Sequence, residues 1–325
     1  MVFFPRKVGA AALLILLVAA SPSFAETHVL SHGALRVEIV AATDFHAAAF
    51  GPRFDRTAVV TSVTVDGIEL LGPWGLSDEF GLYGTGVLGY ETAGTDAAFI
   101  KIGVGTLLRD TTNAYHFSHG YPVQRLFPVT IESGAGQLSV RQQADATLPQ
   151  RYDYLKTYSV GENNVLTIRY QLTNTGETAW PFEHYNHHWF RQRGKELGPL
   201  YRVTTGFELP DHETRFLREG NSLRLAEPLA PGEAAYYGSN LADVARRENT
   251  FDLSVGDATI VRYEGSFLPA RFAVFANQDG FCPEVFNRTT LAPGETASWS
   301  ATYRFMPSRR LPARDAGQSS SPGPS

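Results

Sequence analysis

Val165-Leu166-Thr167-Ile168-Arg169-Tyr170-Gln171-Leu172 sets Leu166, Ile168, Tyr170 and Leu172 on one side and Thr167, Arg169 and Gln171 on the other. Alternation at a period of two is the mark of a strand with one buried face. The same rhythm runs through 152–160, and Gly161-Glu162-Asn163-Asn164 between the two stretches is turn-forming. Together they predict an antiparallel hairpin. Outward from it the pattern recurs: Leu35-Val37-Ile39, then Val59-Thr61-Val63-Val65 into an Asp66-Gly67 turn, then Ile100-Ile102-Val104, and later 201–207, 259–263, 271–276 and 297–305. Helical periodicity is confined to 241–247. Some fifteen short strands with no linker-like break predict one all-β domain over 26–306, a large antiparallel β-sandwich. The Gly-rich segment 80–89 and Gly94 read as loops at the sandwich edge, since no Gly-x-Gly-x-x-Gly leads into a helix.

Composition agrees with that class. Thirty Gly, 19 Pro and 12% aromatic residues in 325 suit a turn-rich β protein. Residues 1–25 read as a secretory signal peptide: Arg6 and Lys7, an apolar run over 8–20 too short to span a bilayer, and Ser23-Phe24-Ala25 as the cleavage site. The expected location is therefore periplasmic or secreted. Losing Arg6 and Lys7 with the leader takes the net charge from −5 to −7. A mildly acidic surface without a basic run argues against nucleic acid, or membrane after signal cleavage, as partner. Cys282 is the only cysteine, so the domain relies on its core rather than on disulfides. The stretch 307–325, rich in Pro, Ser, Gly and Arg, reads as a disordered tail.

Chemistry concentrates in Phe182-Glu183-His184-Tyr185-Asn186-His187-His188-Trp189-Phe190, which holds three of the nine histidines. A strand that only filled a core would carry Val, Ile and Leu, because a buried imidazole without partners leaves polar nitrogens unsatisfied. Polar rings flanked by flat aromatic ones suit a sugar site. His184, His187 and His188, with Asp211-His212-Glu213 as further donors, invite a metal reading. On a strand, however, His184 and His188 share one face while His187 points to the other, so no metal is expected. Trp189 should share the face of His187 and could stack on a pyranose ring, whereas Trp74, Trp180 and Trp299 read as core or edge packing. Glu284, alone among apolar residues in Gly280-Phe281-Cys282-Pro283-Glu284-Val285-Phe286, is either paired with an arginine such as Arg53 or Arg262 or is an acid–base group.

Asn186-His187-His188-Trp189-Phe190 resembles the Asn-His-x-Tyr/Trp-Phe strand of the aldose 1-epimerase (galactose mutarotase-like) superfamily. The end of the chain agrees: Glu284 in a Cys-x-Glu setting, then Leu291-Ala292-Pro293-Gly294-Glu295 and Thr302-Tyr303-Arg304-Phe305. The resemblance covers about 35–305 and implies the galactose mutarotase-like supersandwich. By matching position it makes His187 the general acid and Glu284 the base. His119-Gly120-Tyr121 before Gln124-Arg125 resembles an upstream His-Gly segment, which makes His119 a second sugar-contacting histidine. Arg53 in Gly51-Pro52-Arg53-Phe54-Asp55 resembles the substrate arginine of the early strand, and His188 and Trp189 complete the set of substrate-binding residues.

The mechanism implied is hemiacetal ring opening without a cofactor, followed by rotation and reclosure to either anomer. The partner is then a small-molecule sugar or a glycan. Two other readings use the same pocket: a carbohydrate-binding protein without turnover, and a sugar lyase or hydrolase. The two catalytic groups are expected about 5–8 Å apart, bracketing one ring, by analogy with other two-group sites.

Overall fold

Tyr152–Gly161 and Val165–Asn174 form the hairpin read from the alternation, paired from Tyr152 opposite Asn174 to Gly161 opposite Val165. Its turn works because Asn163 and Asn164 take φ of 58° and 56°, a left-handed conformation that asparagine tolerates. Leu166, Ile168, Tyr170 and Leu172 are all buried, so the hydrophobic face fixes the register. The structure, a computed structural model, describes residues 25–144, 148–211, 214–244 and 247–307. The expected leader and tail, apart from Ala25 and Pro307, lie outside the described residues, as do His212 and Glu213.

All strand pairs in the described residues are antiparallel and fall into three sheets. One follows the order Glu26–His32, Leu35–Ala41, Ala58–Val65, Leu71–Phe80, Trp180–Phe190, Phe281–Leu291, Arg271–Ala276, Ala235–Asn240, with Ile68–Glu69 against Ala58–Val65. This first sheet carries the histidine strand at its middle. The second sheet runs Val129–Gly134, Gln137–Gln143, Tyr152–Gly161, Val165–Asn174, Thr296–Phe305, Ala258–Gly265, Arg247–Val255, Tyr201–Phe207, Ser222–Leu225, Phe216–Glu219. A small third sheet joins Val87–Leu88, Ala98–Lys101, Gly105–Leu108 and Val123–Leu126.

The inner faces of the two large sheets meet in one apolar core that includes Val37, Val63, Phe182, Tyr170, Trp299 and Tyr303. Trp180 and Trp299 belong to this core, as expected, and Trp299 stacks on Tyr170 with centroids 5.2 Å apart. Within it lies a buried ionic group: Lys156 Nζ reaches Asp55 and Asp78 at 2.9 Å each and donates to the Ala58 carbonyl at 2.8 Å. Asp78 also accepts from Tyr170 Oη at 3.0 Å and meets His184 Nε2 at 3.1 Å. Although burial favours its neutral form, Lys156 and His184 hold the Asp78 carboxyl well below the usual range. Burial raises Asp55 in turn, against the pull of Lys156.

Two expectations are corrected. Twenty-three strands occur among the described residues instead of about fifteen, because pieces such as Ile68–Glu69 and Val87–Leu88 are two residues long and too short to display alternation. Of the stretch 241–247 read as helical, the described residues form no helix. Leu241 is buried, Ala242 and Asp243 form a turn closed by Val244 N–H to Leu241 O at 3.1 Å, and Arg247 opens the strand Arg247–Val255.

Candidate active site

Parity along Trp180–Phe190 divides its polar residues between two environments. The even positions face the second sheet: His184 contacts Asp78, Asn186 donates to Tyr170 Oη at 2.8 Å, and His188 bonds the Pro283 carbonyl and, at 2.8 Å, Tyr303 Oη. The odd positions, Tyr185, His187 and Trp189, face the other way. His187 and Trp189 stack with centroids 4.5 Å apart and planes 12° apart, so the shared face read from the sequence is present.

Next in the sheet runs Phe281–Leu291. The pairs His184 with Asn287 and Phe190 with Phe281 set a register that brings His187 opposite Glu284. His187 Nε2 and Glu284 Oε1 are 3.2 Å apart and both side chains are buried. The expected separation of 5–8 Å is therefore wrong. Parity along one strand does not give the register between two, and side chains directly opposite on paired strands start only about 4.5–5.5 Å apart at Cβ.

The pair forms one wall of a cavity of about 400 Å³ whose lining is mostly aromatic: Phe50, Trp74, Phe117, Trp189, Phe275, Tyr83 and Tyr236, with Arg53, Asn277 and Asp279 as the other polar groups. Phe50 and Trp74 meet edge to face at 4.9 Å, and Trp74 Nε1 donates to Asp279 Oδ2 at 3.1 Å. Gly280 lets the Asp279 turn lie on the histidine strand, since a Cβ there would sit 2.9 Å from Trp189 Cα. Arg53 enters the cavity under tight control: its Nε donates to Glu79 Oε2 at 2.8 Å and its Nη2 to Tyr185 Oη at 2.9 Å, while Phe117 lies 4.4 Å from its guanidinium carbon. Behind them, buried Lys101 donates to Tyr115 Oη at 2.8 Å and lies 3.6 Å from Glu79.

Burial pushes Glu284 up to about 8, opposed by Arg53 and reinforced by Glu79. Burial also holds His187 well below its ordinary value, and Arg53 adds to that. At neutral pH the proton of the pair therefore rests on the carboxyl and the imidazole is neutral. Two groups in contact, one carrying a proton and the other able to take it, can exchange roles during a reaction.

Of the expected site residues, His187, Glu284, Trp189 and Arg53 come together in this cavity. Two do not. His188 lies in the core between the sheets, as the alternation requires of a neighbour of His187, with both ring nitrogens bonded and burial lowering it to about 4. His119 pairs with Asp110 at 2.7 Å on the surface, and Phe117 from the same loop reaches the cavity instead. Neither arginine weighed as a partner is bonded to Glu284: Arg53 bonds Glu79 and Arg262 bonds Asp252 at 2.7 Å. Trp74, read as packing, is a cavity wall. Glu79, Asp279 and Phe275 were missed, and so was His46, buried with Nε2 2.8 Å from Ser77 Oγ and 3.0 Å from the Trp74 carbonyl. The sequence carried a signal only for Glu79, which follows Asp78 as a second charged residue in a strand of mostly apolar residues and is fully buried there.

No protein-family model and no curated protein matches this sequence. Solved structures do match. A protein from Escherichia coli K12, proposed to be an aldose 1-epimerase, is 15% identical over 86% of this chain and 98% of its own, with a TM-score of 0.52. A galactose mutarotase-like protein from Lactobacillus casei ATCC 334 is 14% identical over 86% of this chain and 100% of its own, with a TM-score of 0.53. An aldose epimerase homologue from C. elegans is 12% identical over 87% and 99%, with a TM-score of 0.51. The chain has the galactose mutarotase-like fold; at these identities the likeness speaks for the fold alone.

Proposed function

On that fold, we propose that this protein is an exported mutarotase-like enzyme that interconverts the anomers of an aldose or related sugar, with His187 and Glu284 as its acid–base pair. The observation that carries the reading is their 3.2 Å contact in a cavity walled by Trp189, Trp74 and Phe275. Flat aromatic walls suit the apolar faces of a sugar ring, and a few polar groups fix its orientation.

Ring opening requires two coordinated proton transfers. Glu284 as carboxylate takes the proton of the anomeric hydroxyl, while protonated His187 gives one to the ring oxygen. The C1–O5 bond breaks as C1 becomes an aldehyde carbon. After half a turn about C1–C2, the aldehyde recloses: His187 recovers the proton from O5 and Glu284 returns one to O1. The pair holds one proton throughout. It rests on Glu284, the placement that closes the ring, and the tautomer with the proton on His187 opens it. Arg53 favours the carboxylate, and its ties to Glu79 and Tyr185 fix its position.

Polarimetry of freshly dissolved aldoses tests this directly. Catalysed equilibration of at least one sugar, lost in His187→Asn, is the expected outcome; uncatalysed equilibration across a broad panel ends the reading. The direct contact also favours a second reading, since two groups engaged with each other instead of bracketing a ring serve a carbohydrate-binding protein without turnover equally well. A shift of tryptophan fluorescence with sugar but no catalysed rate decides for the binder.

A further inference from the structure

Building on the proposed sugar site, we infer that its ligand is the reducing end of an oligosaccharide, with a second sugar unit seated beyond Tyr83. Tyr83 lines the cavity that holds His187 and Glu284, and it also lines a second, open basin of about 420 Å³ formed by the segment 84–89, which includes the strand Val87–Leu88, with Thr92 and Gln150. The two basins thus share a wall.

That wall is an aromatic platform held in place. Tyr83 and Tyr236 are 50% and 47% exposed, unusual for large rings at a cavity mouth. Their hydroxyls are 3.3 Å apart, and Arg271 Nη2 donates to them at 3.0 and 3.4 Å while its guanidinium carbon lies 4.1 Å from the Tyr83 ring centroid. A fixed ring with a hydroxyl at its edge can stack on one face of a pyranose and bond its hydroxyls at little entropic cost. The loop behind it is equally constrained. Gly86 has φ of 100°, and a Cβ there would meet Phe182 at 3.1 Å.

The chemistry fixes the direction of the chain. Ring opening needs a free anomeric hydroxyl, so the unit at His187 and Glu284 is the reducing terminus. The rest of the glycan leaves through another carbon toward the open mouth, where Tyr83 stands.

Titration calorimetry with aldoses and with the reducing disaccharides built from them tests the inference on the full protein. At least one disaccharide should bind about tenfold tighter than its own reducing-end monosaccharide. Thr92→Trp, which fills the second basin from an exposed turn, should remove that advantage and leave the monosaccharide affinity unchanged. Tyr83→Ala should weaken the disaccharide more than the monosaccharide. Disaccharides binding no tighter than monosaccharides, or an advantage that survives both substitutions, overturns the inference, as does an absence of binding by any sugar. The catalytic reading fails separately: a disaccharide advantage without polarimetric turnover supports the subsite and sinks only the acid–base assignment.

Discussion

His187 and Glu284 lie opposite one another on adjacent antiparallel strands, 3.2 Å apart from Nε2 to Oε1 and both buried in the cavity wall. Two groups this close titrate as a unit, so activity follows the singly protonated pair and not either residue alone. Above the value of about 8 for Glu284 the pair loses its only proton and has no acid. At low pH a second proton reaches His187, well below 6.5, and no base remains. The expected rate profile is flat through neutrality and falls as pH rises through about 8. A rate that climbs steadily from pH 7 to 10 contradicts this.

His187→Asn and Glu284→Gln should each lower the epimerase rate by at least roughly 10²-fold, the usual contribution of one proton-transfer group. Because the two act as one unit, the double variant should be little worse than either single one. Single-turnover rates on the three variants, with circular dichroism as a check on the fold, measure this. Fully additive losses would show two independent groups.

Arg53 bears on both limbs of that profile. Its charge lowers Glu284 and also lowers His187. Arg53→Met should therefore move both limbs to higher pH, while Lys101, 3.6 Å from Glu79 and itself lowered by burial to about 8, compensates that carboxylate only below that pH. The profile of kcat, measured with saturating sugar, separates this shift from lost binding, which would appear in KM alone.

How far the sequence could lead depended on regularity. The hairpin 152–172, the Asp66-Gly67 turn and the division of His184, His187 and His188 between two faces all follow from alternation, which holds wherever a strand is long. Asp66 and Gly67 do take left-handed φ of 50° and 75°. His188 was nonetheless placed with the substrate, against the parity that seats it in the core. His119 could not be placed by such reasoning, since 116–121 is an irregular loop without parity, and Phe117 is the residue that turns inward. The aromatic walls Phe50, Trp74 and Phe275 come from three distant segments, and nothing local distinguishes them from core residues. The separation of His187 and Glu284 required the register, which composition does not encode.

Lys156 should contribute strongly to the stability of the fold. It is fully buried between Asp55 and Asp78, and replacing it with methionine leaves those carboxylates without their compensating charge. Such a break typically costs about 3–5 kcal/mol. Urea titration of Lys156→Met should show a loss of that size; an unchanged midpoint would mean that the two carboxylates are neutral in the native protein.

Glu284 should also make the protein less stable as pH rises. An unfolded glutamate loses its proton near 4.3, whereas folded Glu284 keeps its own up to about 8. Between those values folded Glu284 holds a proton that its unfolded counterpart lacks, so its contribution to stability falls with increasing pH across the window and levels off above it. Glu284→Gln keeps the shape of the neutral acid and removes the titration. The variant should therefore melt close to the parent at pH 5 and at a higher temperature at pH 8, where it is the more stable by on the order of a few kcal/mol. His187, held well below its unfolded value near 6.5, opposes that fall up to this pH and leaves the net loss to the range from about 6.5 to 8; it titrates in parent and variant alike and so drops out of their difference. Thermal melts of parent and variant at the two pH values measure the difference. An equal gap at both would show that Glu284 is ionised in the folded protein and that the pair carries its proton on His187.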